Sequence, residues 1–238
     1  MKVALLRVGI DTGCGGMHGP LFKDGSLDYV PIPDEPFRGA PTYGTAVGSK
    51  GRPLVEYFPE SRRRNMQSRT IHWDPEFKTF TYGDPTPPKA GLRRLKPGDL
   101  LVFFCGLQGW DFHCDPALYL LGYFEVAVAG RASEFEWPEV RRLFSENAHV
   151  IRAGSRRTFL KEDPVLVKGL STSRMFKKAV RISAVGRDRT GRPINVLSPE
   201  MQKVFGTFNG RICIQRSPTR WVVDEYVLRS AQFVRSLE

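Results

Sequence analysis

The chain has 238 residues, 41% of them hydrophobic, with a mean hydropathy of −0.31. It is long enough to bury a sizeable core, and it holds no apolar run of membrane-span length, which excludes an integral helical membrane protein. Lys and Arg number 36 against 25 Asp and Glu, a formal charge of +11 with a pI near 9.7. Such an excess repels itself unless a polyanion uses it, so nucleic acid stands first among partner classes. A basic protein of a heat-adapted or GC-rich organism is the plainer alternative.

The first eight residues, "MKVALLRV", read as a buried strand, broken too early by Arg7 and Asp11 for a signal peptide. Gly9 to Gly25 is a glycine-rich connection, and Ser26 to Asp34 is extended, with Pro31 and Pro33 favouring an edge. Residues 35–70 read as irregular. His72 to Pro88 places aromatics at near-alternate positions between turn signals, which suggests short strands and turns. Pro97-Gly98-Asp99 makes a turn into the buried strand "LLVFFC", and Ala117 to Gly130 is a second buried strand with a bulge at Gly122. The two are expected to pair as a hairpin. Helices are expected at Trp137–His149, Ser173–Ser183, Ser198–Gly206 and Asp224–Leu237. The pattern predicts one α+β domain over residues 1–238, on a mixed or antiparallel sheet with peripheral helices.

Four cysteines without a CxxC pair, and no secretory signal, predict reduced thiols and a cytoplasmic protein. No zinc-knuckle spacing is present. The spacing of Asp111, His113 and Cys114 is not diagnostic of a metal, and no metal site or cofactor is assigned.

Three stretches carry candidate chemistry. In "GIDTGCGGMHGPLF" (Gly9–Phe22) Asp11, Thr12, Gly15, Gly16 and His18 form a possible glycine-rich ligand wall or anion nest. The stretch is neither a Walker A motif nor GxGxxG. Cys14 as nucleophile with His18 as base requires contact that a glycine-rich loop does not guarantee, and Asp11 capping a tight turn is the structural alternative. In the second stretch, Trp73 and Tyr82 offer faces to stack a base, while His72, Asp74 and Asp84 offer polar edges. A turn-rich surface with half-buried aromatics explains the same residues. In the third, Trp110 and His113 sit at the expected hairpin tip, which an ordinary packed loop also explains. Arg62, Arg63, Arg64 and Arg69, then Arg156 and Arg157, and Lys177 are candidates for holding a nucleic-acid backbone. Each run taken alone also fits a solvated surface.

"KPGDLLVFFCG" followed by "LYLLGYFEV", within Leu95–Val126, resembles the PUA-like superfamily that includes EVE domains. The resemblance implies a partial barrel with a base pocket near the strand ends. "GIDTGCGGMHGPLF", "HWDPEFKTFTYGDPT", "KPGDLLVFFCGL" and "LYLLGYFEV", with "NAH" (Asn147–His149) and "LVKG" (Leu166–Gly169), together resemble the nucleotide modification associated domain family of the third type. That resemblance implies association with systems that make or recognise modified bases, and it supplies no reaction. The leading expectation is a module that recognises a base, modified or not, in DNA or RNA. The alternative is an enzyme acting on nucleic acid or nucleotides through Asp11, His18, His72 and Asp74 as acid–base or metal-binding groups. A third reading is a small-ligand binder that uses the opening loop as a phosphate cradle.

Overall fold

The run Leu100–Gly109 is apolar at consecutive positions because both of its faces are covered. Leu101, Phe103, Cys105 and Leu107 enter one core, while Leu100, Val102 and Phe104 enter another. The computed structural model describes residues 1–37, 39–215 and 218–237, with this strand at its centre. In chain order the strands are β1 (Val3–Arg7), β2 (Gly19–Leu21), β3 (Ile32–Pro33), β4 (Ile71–His72), β5 (Thr81–Asp84), β6 (Leu100–Gly109), β7 (Ala117–Arg131), β8 (Val165–Gly169), β9 (Arg174–Arg181), β10 (Ser183–Arg187), β11 (Pro193–Leu197) and β12 (Arg220–Trp221). The α-helices are α1 (Glu60–Met66), α2 (Trp137–Leu143), α3 (Ala148–Ala153), α4 (Arg156–Glu162), α5 (Pro199–Phe205) and α6 (Asp224–Ser236). Tighter 3-10 turns occupy Leu54–Tyr57, Pro87–Arg94 and Ala132–Glu134.

The large sheet runs β12-β1-β6-β7-β8-β5, with β2 beside β6 and β9 beside β7. β1 lies parallel to β6, from Val3 opposite Leu100 to Arg7 opposite Phe104. A parallel pair needs a long crossover, and residues 8–99 supply it. The β6–β7 hairpin is antiparallel, so the sheet is mixed and the fold α+β, as expected. The path ends on β12 and β5, which do not pair with each other among the described residues, so the sheet is open and not a closed barrel.

The bulge falls where the glycine suggested. Phe103 faces Gly122 and Phe104 faces Leu120, which leaves Leu121 as the extra residue. A Cβ on Gly122 would come within 2.6 Å of the Arg174 carbonyl and 2.8 Å of the Phe77 ring, so only glycine lets β9 and Phe77 approach. α5 starts as the sequence indicated, with Ser198 accepting from the Met201 N–H and Pro199 at the first position. α6 buries Val227, Ser230, Ala231 and Val234, a stripe at helical spacing laid on the second core.

Two expected helices are corrected. Ser173–Ser183 is the strand β9, paired antiparallel with β7 from Arg174 opposite Tyr123 to Arg181 opposite Tyr119. Its apolar residues fit helical spacing, but the open edge of β7 offers a ladder, and the tertiary partner decides. Trp137–His149 is not one helix. It breaks at Phe144, and Asn147 restarts the chain as α3 by accepting the His149 N–H. Residues 35–70 hold α1 and a 3-10 turn where irregular chain was expected.

Candidate functional site

A two-stranded ladder begins the site. Ile32 of β3 faces His72 of β4, which sets Asp34 alongside the His72 ring, with Nδ1 2.8 Å from Asp34 Oδ2. Asp74 follows His72 by two residues and is buried. Its carbonyl accepts the Tyr29 hydroxyl at 2.6 Å, and its Oδ2 accepts the Gly83 N–H of β5 at 2.7 Å. α3 crosses at the same point. A Cβ on Gly83 would lie 2.9 Å from His149 Cδ2 and 3.0 Å from Asn147 Oδ1, so this glycine admits the helix. Gly83→Ala is expected to displace His149 and cost about 1–3 kcal/mol through overpacking, read by thermal denaturation.

The second imidazole mirrors the first. His149 Nδ1 lies 3.3 Å from Glu162 Oε2 of α4. Arg152, one turn along α3, joins the two carboxylates: Nη1 to Asp34 Oδ1 at 2.7 Å and Nη2 to Glu162 Oε2 at 2.7 Å. The two rings meet edge to face with centroids 4.7 Å apart. Each turns its other nitrogen inward, His72 Nε2 at 3.9 Å and His149 Nε2 at 3.8 Å from Asp74 Oδ2. Asp74 Oδ1 and Asn147 Nδ2 are buried and close no hydrogen bond of normal geometry among the described residues.

Burial sets the electrostatics. It drives the Asp74 carboxyl well above the usual carboxylate range, opposed by the Gly83 N–H and the Asn147 side chain and reinforced by Asp84. It also lowers His149. Burial pushes Asp34 upward too, but His72, the Glu35 N–H and Arg152 overrule it and hold that carboxyl down to about 2. Glu162 is held at about 2, first by His149 and then by Arg152 against its partial burial. Arg152→Met removes the cation between two carboxylates, one of them buried. We expect a loss of about 2–3 kcal/mol, below the range for a fully buried pair because Glu162 is partly solvated. That corresponds to a fall in Tm of about 4–12 °C.

The group opens onto a cleft of about 540 Å³ at the C-terminal end of β1, lined among others by Arg7, Asp11, His72, Asp74, Asp84 and Lys89. Lys89 is 5% exposed, and burial lowers its ammonium to about 8, with Asp84 opposing the shift and Arg7 adding to it.

The sequence as a whole matches one family model, nucleotide modification associated domain 3, over residues 2–236. The chain belongs to that family. Comparison with curated proteins and with solved structures returned no match. No helix among the described residues is long and apolar enough to cross a membrane.

In this nucleotide modification associated domain, the residues singled out from sequence fall in several places. His72, Asp74, Tyr82, Asp84 and Asp11 line the cleft. Tyr82 is buried, its hydroxyl donating to Asp84 at 3.0 Å and its ring beside Phe103. Trp73 packs on a separate core with Ile10, Tyr43 and Ile71. Asp11 serves the turn: Oδ1 accepts the Gly13 and Cys14 N–H groups, its carbonyl accepts those of Gly15 and Gly16, and Oδ2 pairs with Arg7 at 3.2 Å. Thr12 is exposed. A side chain on Gly15 would strike Ile10, and one on Gly16 would strike the Arg62 guanidinium. These glycines therefore serve internal packing. Arg62 also reaches the Gly15 carbonyl, at 3.3 Å.

The Cys14 thiol sits against Asp11 and is pushed up to about 11, by desolvation first and also by the Asp11 charge, which leaves no ready thiolate. His18 lies away from the cleft, in a groove of about 290 Å³ with Tyr57 and Trp110, its Nδ1 buried against Gly106. Trp110 stands edge-on to Tyr57 at 5.0 Å, and His113 is exposed. Arg63 is turned onto the Phe58 and Glu56 carbonyls. Arg64, Arg69, Arg156, Arg157 and Lys177 are exposed on separate segments.

Sequence reasoning assigned no role to Asp34, Lys89, His149 or Glu162, and it grouped Arg152 with Arg156 and Arg157 as a phosphate contact, whereas Arg152 bridges Asp34 and Glu162. His149 entered the sequence reading only within "NAH", one of the stretches that carry the family resemblance. The others converge only through tertiary structure.

Proposed function

We propose that this protein is an enzyme that modifies or hydrolyses nucleotide units, free or within a nucleic acid, with His72, Asp74 and His149 as the reacting groups. One observation carries the reading. Asp74 is a buried carboxyl set between two imidazole nitrogens, and with His72 it lines an open cleft. Such a group costs the fold free energy, and groups of this kind concentrate where chemistry is done. Imidazole and a carboxyl of raised pKa suit proton transfer near neutral pH. Arg7 and Lys89 on the same cleft suit a phosphate.

A module that only recognises a base, in a PUA-like or EVE-like pocket, draws on the +11 charge and on exposed Arg64, Arg69, Arg156, Arg157 and Lys177. Two of its stacking faces are withdrawn, Trp73 into a core and Tyr82 by burial, while Trp110 stays exposed, edge-on to Tyr57 and outside the cleft.

One assay separates the two. Mononucleotides and single- and double-stranded DNA and RNA are incubated with the protein, with and without divalent metals. Mass spectrometry follows the products, and polarisation follows binding across a salt series. The enzyme reading expects a mass change that is lost in Asp74→Asn. Steep salt-dependent binding at unchanged mass under every metal condition sinks it in favour of the recognition module.

A further inference from the structure

We propose that His72, Asp74 and His149 bind one divalent transition-metal ion, through the two Nε2 atoms and the Asp74 carboxylate. The inference deepens the reading above and rests on it for the ion's purpose, though not for its binding.

Spacing comes first. A ligand atom from each of the three side chains lies within 4.8 Å of the others, and each nitrogen stands 3.8–3.9 Å from Asp74 Oδ2. A tetrahedral ion with bonds of about 2.0–2.1 Å wants its ligands roughly 3.4 Å apart. Each nitrogen needs to close on Asp74 by about 0.5 Å, and the widest pair of ligand atoms by up to roughly 1.4 Å, a movement within reach of side-chain torsions.

Orientation comes second. Each ring presents Nδ1 to a carboxylate, His72 to Asp34 and His149 to Glu162. We assign the N–H to that nitrogen, which leaves each Nε2 with a bare lone pair aimed at Asp74. Arg152 Nη2 is also 3.2 Å from His149 Nδ1, but its shorter bond, 2.7 Å, goes to Glu162. Carboxylates behind both imidazoles are the outer-shell arrangement that fixes metal-binding histidines.

Satisfaction comes third. Two imidazole lone pairs and a carboxylate face one another, and that carboxylate is met by the Gly83 N–H at Oδ2 and by the Asn147 side chain. Oδ1 is buried and closes no hydrogen bond of normal geometry among the described residues. A cation between the three groups meets all of these needs together.

The donor set narrows the ion. Two imidazoles and one carboxylate suit zinc, iron(II) or manganese(II) over calcium or magnesium, which prefer oxygen throughout. Three protein ligands leave at least one position for water or a substrate oxygen on the cleft side.

The test measures metal directly. Full-length protein is stripped with a chelator, then titrated with Zn²⁺ against a chromogenic competitor, with Co²⁺ as an optical probe. We expect one equivalent bound, unaffected by excess Mg²⁺. His72→Ala and His149→Ala are each expected to weaken binding by about 100-fold or more, and Glu162→Gln by about 10–100-fold. His113→Ala, which alters an exposed histidine, is expected to bind as the parent does. X-ray absorption of the zinc-loaded parent removes any dependence on variant folding: two imidazoles with oxygen donors are expected. Less than a tenth of an equivalent bound, affinity unchanged by His149→Ala, or a sulfur-containing shell each overturns the proposal. Metal bound at these residues with no nucleotide altered overturns only the proposed function. Asp74-dependent turnover without metal binding overturns only this inference.

Discussion

Replacing Asp74 with asparagine is expected to lower turnover on the nucleotide substrate by about 10³-fold while leaving the protein folded. The two halves of that expectation have separate causes. Asparagine keeps an oxygen to accept the Gly83 N–H, and it removes a carboxyl whose burial costs free energy, so the melting temperature should hold or rise. It also removes the ionisable group between His72 and His149. A structural Asp74 predicts the reverse: a clear fall in stability and turnover per folded molecule unchanged. Comparing rates at equal folded concentration, measured beside a thermal melt, decides between them.

Lys89→Met is expected to gain stability relative to the parent as the pH falls from 10.5 to 8, and to weaken phosphate-bearing ligands. Burial lowers the ammonium from its ordinary 10.5 to about 8, a difference of roughly 2.5 units or ~3 kcal/mol at most. The sign follows from proton counting. Between pH 8 and 10.5 the unfolded chain holds a proton that the folded chain has released, so parent stability rises with pH across that window. Below pH 8 the folded protein holds the ammonium at the net cost left after the attraction of Asp84. The advantage of Lys89→Met should therefore shrink between pH 8 and 10.5. Ligand binding supplies the counterpart: affinity of the parent for a nucleotide phosphate should fall as pH rises through 8, a step that Lys89→Met should lack. If Lys89→Met keeps the parent's affinity and its step near pH 8, the cation reading of the cleft fails.

What sequence reading recovers here depends on how local the cause is. α5 was legible because Ser198, Pro199 and Gly206 carry its start and stop, and α6 because its apolar stripe has one period. The β6–β7 hairpin and its bulge follow from two buried runs and Gly122. β9 was misread because its pattern is weak and the free edge of β7 decides it. The same contrast divides the site. His72, Asp74 and Asp84 were found because they crowd one short stretch between turns. His149 and Glu162 were not, since nothing in α3 or α4 announces that Gly83 opens a gap for one, or that Arg152 ties the other to Asp34. The glycines of Gly9–Phe22 looked like a cradle because spacing cannot reveal that Ile10 and the Arg62 guanidinium fill the space beside them.

The Arg152 bridge has a consequence for biosynthesis. It ties Asp34, near the beginning of the chain, to Glu162 at the end of α4, across the His72–Asp74 stretch. On the ribosome the cluster cannot be completed until α4 has emerged, and β1 must wait for β6 before its apolar faces are covered. A nascent or truncated chain ending before Glu162 therefore lacks the finished pocket and exposes the surfaces that chaperones hold. On the proposed reading, a copy that ends before Glu162 has no competent site, and competence comes only once α4 has been made.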